Sequence, residues 1–205
     1  FLPPVPLANR MWAGGRLEMV APIAIGSAVK RRSQVLRVDQ KQGKSGELVF
    51  VTVLHELLSA AAELLLREEH DIVYTDGATR RPPPPAKAPA AASGPRFTPD
   101  AVMLFRYSAL TFNGHRIHYD LDYCRRVEGY DNLVIHGPLN ATLLANHAES
   151  LSGGALKRFD YRLLAPALLG CTLAVDARRE GNRILLRLLR DDGVACAEAT
   201  ACCAP

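Results

Sequence analysis

Within eleven residues, Leu110-Thr111-Phe112-Asn113-Gly114-His115-Arg116-Ile117-His118-Tyr119-Asp120, the chain places two of its six histidines, a carboxylate, an amide and a guanidinium. A second polar knot follows, Leu133-Val134-Ile135-His136-Gly137-Pro138-Leu139, and opens a long apolar segment with helical spacing. An imidazole titrates near neutral pH, and an amide can orient a water. A glycine at a helix start offers a bare N–H with the helix dipole behind it. Together these residue types suit proton transfer beside a carbonyl or an anion.

The elements around the two knots must position them. A hydroxyl, a proline and an acid (Thr98-Pro99-Asp100) predict a helix start, with Thr98 as the cap and the helix over 101–110 running into the histidine loop. A short second helix is expected over 122–127. The longest helix is expected from Gly137 to about Ser150, with Leu139, Leu143, Leu144 and His147 on one stripe and Gly153-Gly154 ending it. Strands are expected over 16–23, 29–38 and 47–54, then over 156–164, 172–179, 183–190 and 194–202. Asp191-Asp192-Gly193 marks a hairpin between the last two. The stretch 54–65 also fits a helical period, but a strand over 69–75 and the repeat described next favour strand, turn and strand, with the turn near 59–63.

That repeat is Ala21-Pro22-Ile23-Ala24-Ile25-Gly26-Ser27-Ala28-Val29 against Ala165-Pro166-Ala167-Leu168-Leu169-Gly170-Cys171-Thr172-Leu173. Each copy lies between an alternating strand and two further strands, which points to duplication. Residues 77–96 (GATRRPPPPAKAPAAASGPR) separate the halves, because their Pro, Ala, Ser and Gly content cannot build a core. The division is therefore 1–76, a linker over 77–96, and 97–205. The second half has a long helix before its strands. The first does not, so either it is degenerate or its helix lies upstream of Phe1.

Composition sets the outer bounds. In 205 residues, 48% apolar content is ample for a core, and an interspersed net charge of +4 gives no argument for nucleic acid. The five cysteines show no C-x-x-C spacing, which suits reduced thiols in the cytoplasm rather than disulfides or a zinc site. No run of 18 apolar residues exists, so no membrane association is expected.

Helix followed by antiparallel strands, twice, is an α+β arrangement: a double hot dog, in which a curved sheet wraps a central helix in each half. Asn113-Gly114-His115-Arg116-Ile117-His118-Tyr119-Asp120, Val127-Glu128-Gly129-Tyr130 and Leu133-Val134-Ile135-His136-Gly137-Pro138-Leu139 resemble the MaoC-like hydratases. The branch they resemble is that of the mesaconyl-C4-CoA hydratases and type 2 hydroxyacyl-thioester dehydratases. Phe1-Leu2-Pro3-Pro4-Val5-Pro6 and Arg10-Met11-Trp12-Ala13-Gly14-Gly15 resemble the N-terminal half of the same branch.

The resemblance implies reversible hydration of a 2-enoyl thioester, with no cofactor and no metal. The substrate would be carried on CoA or acyl carrier protein, and a homodimer is possible. His118 would exchange the proton, Asn113 position the water, and the Gly137 amide hold the thioester oxygen; His115, His136, Tyr119 and Asp120 would line the substrate site. Many members carry an Asp two residues before the Asn, paired with the His across the catalytic water. Here that position is Thr111, and Asn113 to His118 is two residues longer. Asn113, His115 and Asp120 are candidates for the second polar group, in that order, and Asp120 equally suits capping the helix after it.

His118, as a loop residue, should be removable without loss of fold. A zinc site at His115-x-x-His118-x-Asp120 lacks further ligands nearby. Lys30, Arg31 and Arg32, or Arg125 and Arg126, are candidates for CoA phosphates. A hot-dog thioesterase would need an acid on the long helix, where Asn140 is no acid and Glu149 sits too far along. A non-catalytic thioester-binding protein is the other alternative.

Overall fold

The computed structural model describes residues 1–43, 46–76, 92 and 94–203. Nine strands form one antiparallel sheet in the order β2-β3-β4-β1-β6-β9-β8-β7-β5. The strands are β1 (Asn9–Met19), β2 (Lys30–Gly43), β3 (Gly46–Leu58), β4 (Leu64–Thr75), β5 (Arg96–Phe97), β6 (Leu156–Leu163), β7 (Leu173–Glu180), β8 (Arg183–Arg190) and β9 (Ala195–Cys203). The helices are α1 (Ala101–Leu110), α2 (Leu121–Tyr123), which continues as a π turn over Cys124–Glu128, and α3 (Gly137–Ser152). The ambiguous 54–65 stretch is strand, turn and strand. The Ser59 side chain accepts from the Ala61 and Glu63 amides at 3.2 Å each and closes the turn.

The duplication is visible in the topology. β1 pairs with β4 and β6 with β9, so the orders β2-β3-β4-β1 and β7-β8-β9-β6 mirror one another across the β1–β6 seam. The repeated nonapeptides form the same turn. Ser27 N–H donates to Ala24 O at 3.1 Å and Cys171 N–H to Leu168 O at 3.2 Å, with Gly26 and Gly170 both at positive φ (85° and 101°). A side chain is costly at such a φ, which accounts for the shared glycine.

At the seam the backbones approach closely. A Cβ on Gly14 would lie 2.5 Å from Tyr161 O, and one on Gly15 would lie 2.9 Å from the Tyr161 ring. Trp12 Nε1–H donates to the Tyr161 hydroxyl at 2.8 Å, and the indole stacks on His70 at 3.7 Å. β1 pairs with β6 only from Gly14 to Glu18; a bulge between Trp12 and Gly14 precedes that stretch, and residues 9–12 run on beyond β6. This overhang becomes a wall of the site.

The long helix packs its Leu139, Ala141, Leu144 and Ala148 into a cluster with Phe159, Val175, Ile184, Leu186 and Cys196. His147 is only half-buried, so the buried stripe is turned from the expected one toward Ala141 and Ala148. The Asp100 carboxylate, rather than Thr98, caps α1, accepting from Met103 N–H at 2.7 Å. In the N-terminal half Val49, Val51, Val53, Ile72 and Tyr74 are covered by Leu2, Val5 and Leu7, and among the described residues no helix lies there. No helix of the described residues is long and apolar enough to cross a membrane. The polyproline expectation and most of the 77–96 linker fall outside the described residues.

A protease cut between β4 and β5, where Pro and small residues concentrate, should leave the two pieces together, since β1 and β6 form one ladder. Co-elution of the fragments on gel filtration is expected; separation into two folded pieces would contradict the shared sheet.

Candidate active site

The end of α1 and the start of α3 are tied together beneath the histidine loop. The Ser108 hydroxyl and His136 Nε2 are 2.9 Å apart, and Ser108 O accepts from Asn113 N–H at 2.9 Å. After α1 the chain reverses through Phe112, a non-glycine residue at φ 51°, so the loop turns back over the helix. A 3₁₀ turn over Arg116–His118 then carries His118 inward.

His118 is 6% exposed and His136 is fully buried. Their rings stack at 3.6 Å with 15° between planes, and the His115 ring stands edge-on to His118 at 5.8 Å. His118 Nδ1 lies 2.7 Å from Val134 O. A carbonyl only accepts, so Nδ1 carries the proton and Nε2 of the neutral ring keeps its lone pair. Burial pushes His118 down to about 4 and His136, also burdened by the His118 charge, to about 3. Both rings are neutral at pH 7.

The carbonyl that orients His118 is itself fixed. Val134 N–H donates to Ile117 O at 2.9 Å, and Val134 forms a strand-like bridge to Leu168. Ile135 N–H donates to Ala167 O and Leu169 N–H to Leu133 O, both at 2.8 Å. The second nonapeptide thus clamps the 133–135 segment. His118 is therefore no removable loop residue: deleting its ring unpairs Val134 O and exposes the His136 face, and an unmade buried hydrogen bond costs about 1–3 kcal/mol.

A cleft of about 560 Å³ is lined by Asn9, Arg10 and Met11 of the β1 overhang, by Phe112, Asn113, Gly114 and His115 of the loop, and by Glu128 and Tyr130; of the three rings His115 borders it, while His118 and His136 lie buried behind His115 and Ile117 and, like Gly137, are not part of its lining. Asn113 Oδ1 accepts from His115 N–H at 3.0 Å, which leaves the amide nitrogen as its donor group. Asp120 caps α2 through Tyr123 N–H at 2.9 Å and pairs with Arg116 at 2.7 Å, and the Tyr119 hydroxyl donates to Gly114 O. Neither lines the cleft, and the Asp120 carboxylate is engaged away from His115 and His118, so the three do not form a metal-ligand set. Of the cations named as phosphate candidates, Arg32 pairs with Glu56 and Arg126 with Asp122, while Arg125 donates to Asp131 O.

Gly137 begins α3. A Cβ there would lie 2.2 Å from Leu163 Cδ1, the tip of a half-buried side chain, so any side chain at 137 requires Leu163 to turn aside. Ser108, Arg10 and Glu128 were not legible as site residues. Glu128 lay within a recognised motif, yet only the π turn shows that it folds back to His115. Buried Asn140, with Oδ1 unpartnered among the described residues, sits one turn after His136.

Three buried histidines carry a pH prediction. His70, like His118, is lowered to about 4 by burial, and His136 to about 3. A histidine depressed in the folded state binds its proton in the unfolded chain first. Stability is therefore untouched above pH ~6.5 and falls as pH drops from there toward 4. The urea midpoint should be clearly lower at pH 5 than at pH 7, and an unchanged midpoint would mean that these rings are hydrated.

The comparisons with known proteins agree with this geometry. The chain is 40% identical over 203 residues to mesaconyl-C(4)-CoA hydratase of Chloroflexus aurantiacus, covering 98% of this chain and 72% of that one. It is also 40% identical over 98 residues to the mitochondrial hydroxyacyl-thioester dehydratase type 2 of Schizosaccharomyces pombe, covering 46% and 33%. Among solved structures, HtdX of Mycobacterium tuberculosis superposes with a TM-score of 0.76 at 19% identity, covering 98% of this chain and 80% of that one. A second M. tuberculosis protein, described as having a double hot-dog fold, superposes with a TM-score of 0.57 at 17% identity, covering 96% and 75%. These likenesses and the mirrored half-sheets make the fold a double hot dog. The family described as hydroxyacyl-thioester dehydratase type 2 matches residues 1–169, and the chain belongs to that family of hydro-lyases.

Proposed function

We propose that the cleft beside His118 adds water across the double bond of a 2-enoyl-CoA thioester of mesaconyl or related type, and runs the reverse dehydration of the 3-hydroxyacyl thioester. The observation that carries this reading is the fixed neutral tautomer of His118, whose Nδ1–H is spent on Val134 O. The lone pair on Nε2 is then available as a base.

In this mechanism Nε2 takes one proton of the water while its oxygen bonds to the β-carbon. The π electrons move through the α-carbon onto the thioester oxygen as an enolate. The Gly137 amide, with the α3 dipole behind it, donates to that oxygen. The Nε2–H then returns its proton to the α-carbon on the same face, which regenerates the neutral ring and gives syn addition. Negative charge growing on the substrate offsets the low basicity that burial imposes on the ring. Asn113 holds the water through its free amide nitrogen. The β1 overhang supplies the opposite wall for the acyl-pantetheine chain.

Incubation with crotonyl-CoA and mesaconyl-C4-CoA in the presence of a thiol reagent tests the reading. Loss of enoyl absorbance without thiol release is expected. Thiol release would make the protein a thioesterase, and neither signal would make it a non-catalytic binder.

Two substitutions sharpen the assignment. His118→Asn keeps a donor for Val134 O but removes the base, so kcat should fall by about 10²-fold or more with a folded protein. A smaller loss would move the base elsewhere. Gly137→Ala requires the Leu163 side chain to turn aside, so the stability lost should be at most about 1–3 kcal/mol, and Leu163→Ala in the same chain should restore part of any lost melting temperature. Alanine keeps the backbone N–H that would serve the thioester oxygen, so turnover should recover together with stability; a stable but inactive double variant would argue against that amide role.

A further inference from the structure

Thr111 brings no carboxylate to the cleft. Its hydroxyl donates to Tyr107 O at 2.7 Å as part of the α1 end, and the residue is exposed. The cleft nevertheless holds a carboxylate, delivered from another part of the chain. The π turn over Cys124–Glu128 brings Glu128 back to His115, with Glu128 Oε1 3.9 Å from His115 Nε2. The Tyr123 hydroxyl donates to the same oxygen at 3.1 Å, and the Glu128 side chain is only 14% exposed. Extra residues inserted as π turns often mark functional sites, because they redirect a side chain that an α-helix would point elsewhere.

We infer that Glu128, acting through His115, holds the attacking water against His118 and takes the part of the absent aspartate. The inference rests on the hydratase reading above. A carboxylate facing Nε2 favours the tautomer with the proton on that atom, which leaves Nδ1 of His115 as an acceptor. Asn113 pins the His115 backbone from below. The His115 and His118 rings stand edge to face with their centroids 5.8 Å apart, and the inference places the water between His115 Nδ1 and His118 Nε2. His118 Nε2 accepts the proton that is transferred. His115 Nδ1 accepts a hydrogen bond from the O–H that stays with the product. No proton passes through His115, so Glu128 is a positioning residue and the balance of the reaction is unchanged.

This role has a signature that a merely structural carboxylate lacks. Burial lowers the proton affinity of His115, Glu128 raises it and Arg10, which lines the same cleft, lowers it; the neutral His118 ring stands edge-on to His115, and the Tyr123 hydroxyl donates to Glu128. Removing the carboxylate must lower the His115 pKa. Since protonated His115 cannot accept from the water's O–H, the part of the acid limb of kcat that His115 sets must then move to lower pH.

Glu128→Gln in the full chain, assayed with mesaconyl-C4-CoA, should lower kcat by about 10²-fold with KM little changed. Its acid limb, and the His115 titration followed by NMR, should both shift downward. Glu128→Asp should recover part of the rate. Wild-type rate in Glu128→Gln, or a reduced rate with both titrations unmoved, would overturn the inference while leaving the hydratase reading intact. If Glu128→Gln loses its melting transition, His115→Gln replaces it, and a drop in kcat of less than tenfold there would equally overturn the inference. A wild-type protein inactive on every enoyl thioester would overturn the hydratase reading itself, and this inference with it.

Discussion

The β1–β6 ladder is the constraint on which the rest of the molecule depends. Two half-sheets of like topology meet there backbone against backbone, at a spacing that only Gly14 and Gly15 permit opposite Tyr161. The seam decides how far β1 runs past its neighbour, and the overhang of residues 9–12 then faces the histidine loop instead of solvent alone. A substitution at the seam would therefore act on the cleft even though it touches none of the proton-handling groups. The Trp12–Tyr161 hydrogen bond and the Trp12–His70 stack add side-chain order to the same junction.

Much of this was legible in the sequence, for identifiable reasons. The repeated nonapeptide gave the mirrored sheet, because a glycine at positive φ leaves a trace in sequence that no alternation pattern supplies. The ambiguous 54–65 stretch was decided by the same repeat, since local propensity alone favoured neither state. Gly153, at φ 74°, ended α3 as expected. Boundaries that depended on competing caps were less readable: Thr98 and Asp100 both suit a helix start, and only the Asp100 carboxylate reaches a free amide.

The site was harder, because its members are joined by backbone carbonyls and by chain reversal. Val134 O leaves no mark in the sequence, yet it fixes the His118 tautomer. His118 read as a loop residue because a 3₁₀ turn flanked by polar side chains looks exposed; the turn in fact carries the ring inward. Tyr119 and Asp120 looked functional by adjacency, although a 3₁₀ turn sends neighbouring side chains in different directions. Glu128 lies within the Val127–Tyr130 motif, but the π turn that folds it back to His115 is not visible in spacing.

The two nonapeptides also separate what duplication preserved from what it released. Residues 167–169 hold 132–135 through two backbone hydrogen bonds, a third from the Asn132 side chain and a bridge, and so fix the carbonyl that sets the His118 tautomer. Their counterparts 23–25 form the same turn but meet solvent, with Ile23 42% and Ile25 fully exposed. The ancestral unit thus survives twice as a shape and once as a reagent holder. Among the described residues each chain has one such histidine loop for two folds. Residues 167–169 thus answer to the backbone they hold beside a buried histidine, and 23–25 only to the geometry of a turn.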